Sequence, residues 1–223
     1  MPGLGAIKPV TGVRPRLLDL FSGAGGCAVG YHRAGFDVVG VDIAPQKHYP
    51  FEFHCADAMT YPLEGFDAIH ASPPCQDHMR TPHPNSHGTG WMLAATRVRL
   101  IANGMPWIIE NVPSAPMRPD YLLCGCMFGL PNLRRERWFE SSWHGFSLNM
   151  GHDHTAPAIS VVGHGTPTWV RQRLGYNPTI AQYRAAMGID WMNRDELSQA
   201  IPPAYTEHVG RELLAHLSEA RAA

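Results

Sequence analysis

Cys75 stands in the run Ser72-Pro73-Pro74-Cys75-Gln76, at the point where an apolar segment stops. Two prolines stiffen the chain there and fix the direction in which the thiol projects. A cysteine nucleophile acts as the thiolate, with a pKa of about 8.5 that falls in electropositive surroundings. The commoner fate of a free cysteine is that of a small buried hydrophobe. That is the expectation for Cys27, Cys55, Cys124 and Cys126. Glu110, in Glu110-Asn111-Val112, ends the next apolar run and so belongs at the same sheet edge as Cys75. Alone, such a carboxylate caps a helix or pairs with a cation; beside a cysteine it becomes a candidate general acid or hydrogen-bond partner. Arg135 and Arg137 alternate with Arg134 and Glu136 along a short strand-like run, which puts the two on one face. Surface pairing with Glu136 or Glu140 is the competing use for them.

A second group lies near the start. The run from Asp19 to Gly26, DLFSGAGG, places Gly23, Gly25 and Gly26 between a strand-like and a helix-like segment. Glycines let the backbone approach a ligand closely, and the following helix presents free N–H groups. A plain connector would also use such glycines. Asp42, about twenty residues on, stands where a carboxylate binds ribose hydroxyls. Asp42 and Asp57 serve equally well as caps or turn residues. No glycine-rich loop ends in a lysine for nucleotide phosphates, and the glycine spacing departs from GxGxxG. An adenosyl ligand without a pyrophosphate suits this loop better than a dinucleotide.

These residues need a frame. Segments 16–21, 36–42, 66–72 and 106–112 read as strands and 51–57 as a weaker one, with helical patterns at 27–35 and 92–103. Strands alternating with helices predict an α/β fold built on a doubly wound parallel sheet. Ligands of such sheets sit beyond the carboxyl ends of the strands. Asp19, Asp42, Asp57, Cys75 and Glu110 collect at those ends. After Tyr121 the pattern loosens into short strands, RWFESS and AISVVG, and loops rich in Gly, His and Pro. Residues 205–220 read as an amphipathic helix through Val209, Leu213, Leu214 and Leu217.

The 223 residues suit one sizeable domain with at most a small lobe. With 44% hydrophobic and 17% charged residues the chain reads as globular rather than disordered. No apolar stretch is long enough for a transmembrane helix, and residues 1–13 are expected to form a loose extension without a signal core. Five cysteines without framework spacing point to reduced thiols and a cytoplasmic setting. A net charge of −1 supplies no overall basic field for nucleic acid. Between Pro131 and Arg184, however, six arginines face three carboxylates, with His144, His152, His154 and His164 in the same window.

DLFSGAGG, Asp42, Ala56-Asp57, PPCQ, ENV and RRER occur in this order over residues 16–140. The chain thereby resembles the DNA cytosine-5 methyltransferase family. MGIDWM (187–192) and PPAYTEHVG (202–210) look like weaker forms of that family's two closing motifs. The resemblance implies a Rossmann-like class I S-adenosylmethionine-dependent methyltransferase sheet of seven strands, with helices on both faces and a small irregular recognition lobe. Its last helix would pack beside the first glycine loop. It implies residues 14–140 and 179–223 as the catalytic domain and 141–178 as a minimal target-recognition region. Cys75 would add to C6 of a cytosine, Glu110 would hold N3 and the exocyclic amine, and Arg137, supported by Arg135, would position O2. Phe21, Ser22, Gly23, Gly25 and Gly26 would line the S-adenosylmethionine site. Asp42, Ile43, Asp57, Ala58 and Pro74 would complete it. The partner would be duplex DNA with the target base flipped out, in a role such as restriction-modification, regulation or self-modification by a mobile element.

The chain also departs from the family. Leu133 stands where a glutamine is usual and Arg211 where an asparagine is usual, and the loop after Cys75 has an unusual sequence. The short recognition region predicts a short target, contacted by Gln76, Trp169, Arg171, Arg173 and His164, or completed by a dimer or partner chain. An amino methyltransferase fits SPPC at three of four positions but needs an aromatic residue where Cys75 stands. RNA or a free nucleotide as substrate, a group other than methyl, and a non-enzymatic binding module are further competing readings of the sequence. Cys124 and Cys126 with His152 and His154 offer four metal ligands, but C-x-C and H-x-H spacings are tight for one tetrahedral ion. No metal is expected.

Overall fold

The computed structural model describes residues 13–78, 88–145, 151–161 and 168–222, without the side chains of 169, 170, 221 and 222. Seven strands form one sheet: β1 (Arg16–Leu20), β2 (Asp37–Asp42), β3 (Glu52–Cys55), β4 (Ala68–Ala71), β5 (Trp107–Asn111), β6 (Tyr121–Leu123) and β7 (Arg137–Ser141). Their order is β3-β2-β1-β4-β5-β7-β6. The first five are parallel, and β7 runs antiparallel to both β5 and β6. The order reverses between β1 and β4, which puts the switch point beside the glycine loop. Among the described residues no helix is long and apolar enough to cross a membrane.

The described residues include six α-helices: α1 (Gly26–Ala34), α2 (Trp91–Asn103), α3 (Thr168–Leu174), α4 (Ile180–Met187), α5 (Arg194–Gln199) and α6 (Pro203–Ala222). Strand side chains alternate between faces. Leu17, Val38, Ala68 and Ile108 pack against Tyr31 of α1 and Tyr205, Val209 and Leu213 of α6. Leu18, Leu20, Val41, Ile69 and Ile109 face Leu93 and Leu100 of α2. A third cluster joins Ala24 and Leu133 to Tyr183, Met187 and Met192 of the C-terminal segment. Leu133, at the family's glutamine position, is therefore a core residue here.

Two expected strands change. Residues 158–161 of AISVVG form no strand, and Val162 and Gly163 lie outside the described residues. The segment instead makes one bond of backbone pairing, from Ile159 N to Asn132 O at 2.8 Å. The arginine run is not strand throughout: β7 begins at Arg137, and 134–136 is irregular.

The last helix returns to the first. Thr206 Oγ1 donates to Cys27 O at 2.9 Å across the α1–α6 contact. A Cβ on Gly30 would stand 2.0 Å from Thr206 Oγ1 and 2.2 Å from Pro203 O, so only glycine permits this approach. Gly30→Ala is expected to destabilise the protein by at least about 2 kcal/mol, at the upper range of core overpacking, read as a lower denaturation midpoint in urea. An unchanged midpoint would show that the two helices can separate freely.

Candidate active site

The β4–β5 register builds the site. His70 pairs with Ile108 in parallel, so two residues on, Ser72 comes level with Glu110 on the face that carries α1 and α6. Phe139 of β7 lies opposite Glu110, and Arg137, two residues earlier, shares that face as a diagonal neighbour. Arg137 Nε stands 3.0 Å from Glu110 Oε1. Asn111 Nδ2 donates to Pro73 O at 3.0 Å, which ties the proline run to β5 and sets Cys75 beside these groups. Gln76 opens a single-turn 3-10 helix, Gln76–His78, and the loop from 79 to 87 lies outside the described residues.

Neither arginine is spent on Glu140, which is buried and bound by Arg97 and Arg118. Arg135 donates to Val161 O at 3.2 Å and Ser198 O at 2.6 Å, while its own carbonyl accepts from Tyr205 Oη at 2.7 Å. Two buried polar atoms of this group are left without a hydrogen bond among the described residues: Glu110 Oε1, an acceptor beside its ion-pair partner, and Arg135 Nε, a donor. Orphans of this kind cost about 1–3 kcal/mol each. Grouped around a half-buried thiol, they mark a place for a polar ligand.

Burial, with the Glu110 charge second, pushes the Cys75 thiol above its ordinary value; Arg137 and Arg135 oppose this. The depression expected from the two arginines is therefore outweighed, by burial first and by Glu110 second. Burial also raises the Glu110 carboxyl, against Arg137, a hydrogen bond from Ser72 and Arg135. Burial, then the charge of Arg137, lowers Arg135 to about 9.

Behind Glu110 runs a chain of polar groups that the sequence pattern alone did not reveal. His70 Nε2 lies 2.8 Å from Ser72 Oγ, and His70 Nδ1 lies 2.9 Å from Tyr31 Oη. The Tyr31 hydroxyl, the His70 ring and the Ser72 hydroxyl thus form a continuous buried relay that ends beside Glu110. Strand periodicity could have placed His70 and Ser72 on the Glu110 face, but neither the pairing of β4 with β5 nor the approach of α1 is written locally.

The glycine loop forms the other half. Phe21, a non-glycine residue, takes φ 59, and Gly23 and Gly25 take φ 49 and 86. Such left-handed backbone is costly for phenylalanine and recurs at ligand clamps. Ser22 and Gly26 sit in the same turn: Ser22 N donates to Val41 O at 3.1 Å, and Gly26 starts α1. Asp42 accepts from Gly23 N and Ala44 N, both at 3.0 Å, and so braces the loop. Ile43 beside it is 75% exposed, an apolar shelf at the mouth of the sheet. Asp57 accepts from Met59 N at 2.9 Å, as a turn cap does; Ala58 is buried. Pro74 is half-buried next to Cys75. Asp19 is not at the edge with them: it is fully buried on the His70 face, and burial followed by the Asp42 charge holds its carboxyl well above the usual range.

Neither a protein-family model nor a curated protein sequence matches this chain. Solved structures do. The Dnmt2 methyltransferase of S. pombe is similar at a TM-score of 0.55 with 14% identity, over 89% of this chain and 98% of that one. The Entamoeba histolytica methyltransferase EhMeth is similar at 0.55 with 12% identity, over 92% of this chain and 99% of that one. The fold is a class I methyltransferase fold.

Among the remaining candidates, Arg171 and Arg173 are exposed on α3, and no hydrogen bond or ion pair among the described residues joins them to the Cys75 group. Trp169 lies in α3 with its side chain outside the described residues, as does all of His164. Arg211 is exposed and pairs with Glu207 on its own helix. Cys124, Cys126, His152 and His154 come together: their ligand atoms all lie within 4.8 Å of one another.

Two measurements follow from the electrostatics. Alkylation of Cys75, followed peptide by peptide, should have a pH midpoint above that of a free cysteine peptide. Glu110→Gln should lower it and Arg137→Met raise it; an unshifted midpoint in both variants would remove the coupling. His70, by contrast, is held near 3 by burial, against 6.5 when free. Between these values the unfolded chain binds a proton that the folded chain refuses, so stability falls as pH drops through 6.5 toward 3. His70→Gln should weaken the acid sensitivity of urea midpoints taken at about pH 7 and about pH 5; an identical slope would contradict the assignment.

Proposed function

We propose that this protein is an S-adenosylmethionine-dependent DNA cytosine-5 methyltransferase that works through a covalent Cys75 adduct. One observation carries the reading. A half-buried thiol at a strand exit faces a buried carboxyl oxygen with no hydrogen bond, itself ion-paired to an arginine. An amino methyltransferase would have no use for that triad.

The cofactor reading rests on the glycine turn, the Asp42 brace and the exposed Ile43. Phe21, Ser22, Gly23, Gly25 and Gly26 would hold the amino-acid part through a backbone cradle. Asp42 would take the ribose and Ile43 the adenine face, with Asp57, Ala58 and Pro74 closing the rim. Bound there, S-adenosylmethionine would supply an electrophilic methyl group.

The chain's own residues supply the rest. Cys75 gives its thiol proton to water, its Sγ bonds to C6 of cytosine, and the C5–C6 electron pair moves onto C5 as Glu110 donates a proton to N3 and steadies the amine. Burial raises the Glu110 carboxyl, the direction that favours its holding a proton to donate. Arg137, with Arg135 behind it, holds O2. Once C5 is substituted, its proton passes to water, the thiolate leaves C6 with its electron pair, and the N3 proton returns to the Glu110 carboxylate. The ring must be reached from its face, so a duplex base would be flipped out.

Residues 14–140 and 179–223 form the catalytic domain in this reading, with 141–178 as the recognition region. Arg171, Arg173, Trp169, His164 and Gln76 would contact DNA, with a second chain completing so short a recognition surface. Restriction-modification inside the cell is one setting for the activity.

Incubation with radiolabelled S-adenosylmethionine and duplex DNA, then base analysis, is expected to give 5-methylcytosine. Cys75→Ser should abolish it while leaving the fold intact. Label in another base, or full activity in Cys75→Ser, would overturn the mechanism. Label in RNA but not in DNA would move the substrate and keep the chemistry.

A further inference from the structure

Away from the Cys75 site, the turn after β6 faces the segment 151–161. Cys124 Sγ lies 3.4 Å from His154 Nε2, and Cys126 Sγ lies 3.6 Å from His152 Nδ1. All four ligand atoms are within 4.8 Å of one another. With bonds of about 2.3 Å to sulfur and about 2.0 Å to nitrogen, the edges of a tetrahedral zinc site measure roughly 3.3–3.8 Å. The two measured edges fall inside that range.

We propose that Cys124, Cys126, His152 and His154 bind a zinc ion that fastens the segment 151–161 to the turn after β6.

The tight spacings are reconciled by the local backbone. Cys124 is extended, at φ −135 and ψ 152, and Gly125 then starts the 3-10 turn that carries Cys126. A Cβ on Gly125 would stand 2.5 Å from Leu133 O, so the turn can close only with glycine there. On the other side, Asp153 accepts from Thr155 N at 3.0 Å and from Thr155 Oγ1 at 2.8 Å, which turns the chain between and after the histidines. The donor set selects the metal: two thiolates and two imidazoles in a tetrahedron suit zinc, and four protein ligands leave no open position for catalysis. Binding releases the two thiol protons to solvent, and the two thiolates balance the ion's charge.

The segment has reason to need such a clamp. Residues 151–161 contain no helix or strand and little buried apolar surface. Their remaining ties are few: Asn132 Nδ2 to Pro157 O at 2.8 Å, Ile159 N to Asn132 O at 2.8 Å, Arg134 to His154 O and Arg135 to Val161 O. A short segment without a core of its own is where metals replace hydrophobic burial.

The test uses untagged full-length protein purified without chelator, and its readout does not involve methyl transfer. Elemental mass spectrometry should find one zinc per chain in the wild type and in Cys55→Ser, whose cysteine lies elsewhere. Cys126→Ser and His152→Gln should each lower zinc affinity by more than roughly tenfold. Cobalt(II) in place of zinc should give the intense visible bands of a tetrahedral thiolate site, a measurement on the wild type that needs no variant to fold. Stripping the ion should open 151–161 to limited proteolysis. Wild-type protein that neither carries zinc nor binds added zinc or cobalt would overturn the proposal. So would binding that survives in both ligand variants, or a different ion held by these four residues.

Discussion

Glu110 is 4% exposed where the parallel half of the sheet meets the antiparallel strand β7, and the surrounding architecture answers the problem this creates. Isolating a carboxylate from water costs several kcal/mol unless cations and donors are brought to it. Arg137 comes diagonally from the antiparallel strand β7, and Ser72 comes level through the β4–β5 register. Neither partner is close in sequence; both are close because of strand order. The compensation stays incomplete, since Oε1 accepts no hydrogen bond among the described residues. A fully satisfied carboxylate would be a structural ion pair, whereas this one retains capacity for a ligand.

Much of this was legible in the residues. The alternation of apolar runs with helical patterns specified the parallel half of the sheet, and Cys75 and Glu110 belonged together as ends of neighbouring strands. The rest depended on contacts that no local window contains. β6 has three residues and gains its identity only from pairing with β7. AISVVG has the composition of a strand, but its described part has no partner strand. Arg135 has the alternation of a strand residue, yet its guanidinium is spent on carbonyls from two later segments. The C-x-C spacing is tight in sequence, and only the turn at Gly125 brings the second cysteine within 3.6 Å of His152.

The site is closed by the end of the chain. Tyr205 of α6 holds the Arg135 carbonyl, Ser198 holds one arm of its guanidinium, and Trp191 Nε1 donates to Ala24 O in the glycine loop at 3.0 Å. The residues to which the proposed function gives the chemistry lie between 75 and 137, but Arg135 and the glycine loop are held by residues beyond 190. Gly30 makes this possible, since α6 can reach the loop only by lying against α1. A helix that looks like a terminal appendage is thus part of what orients the arginine.

The same logic extends to 151–161. This segment starts at the paired cysteines and histidines and ends at Val161, whose carbonyl accepts from Arg135. One end is far from Cys75 in chemistry, and the other holds a group whose charge bears on the thiol. An irregular chain of this length transmits position only if it is pinned at both ends, because its own backbone supplies few bonds to resist displacement. The carbonyl of Val161 is held as an acceptor for Arg135 by the Asn132 bonds to Pro157 and Ile159 and by the burial of Val161. The proposed hold on His152 and His154 would add to these. The segment 151–161 and Arg135 are coupled through that stretch of chain.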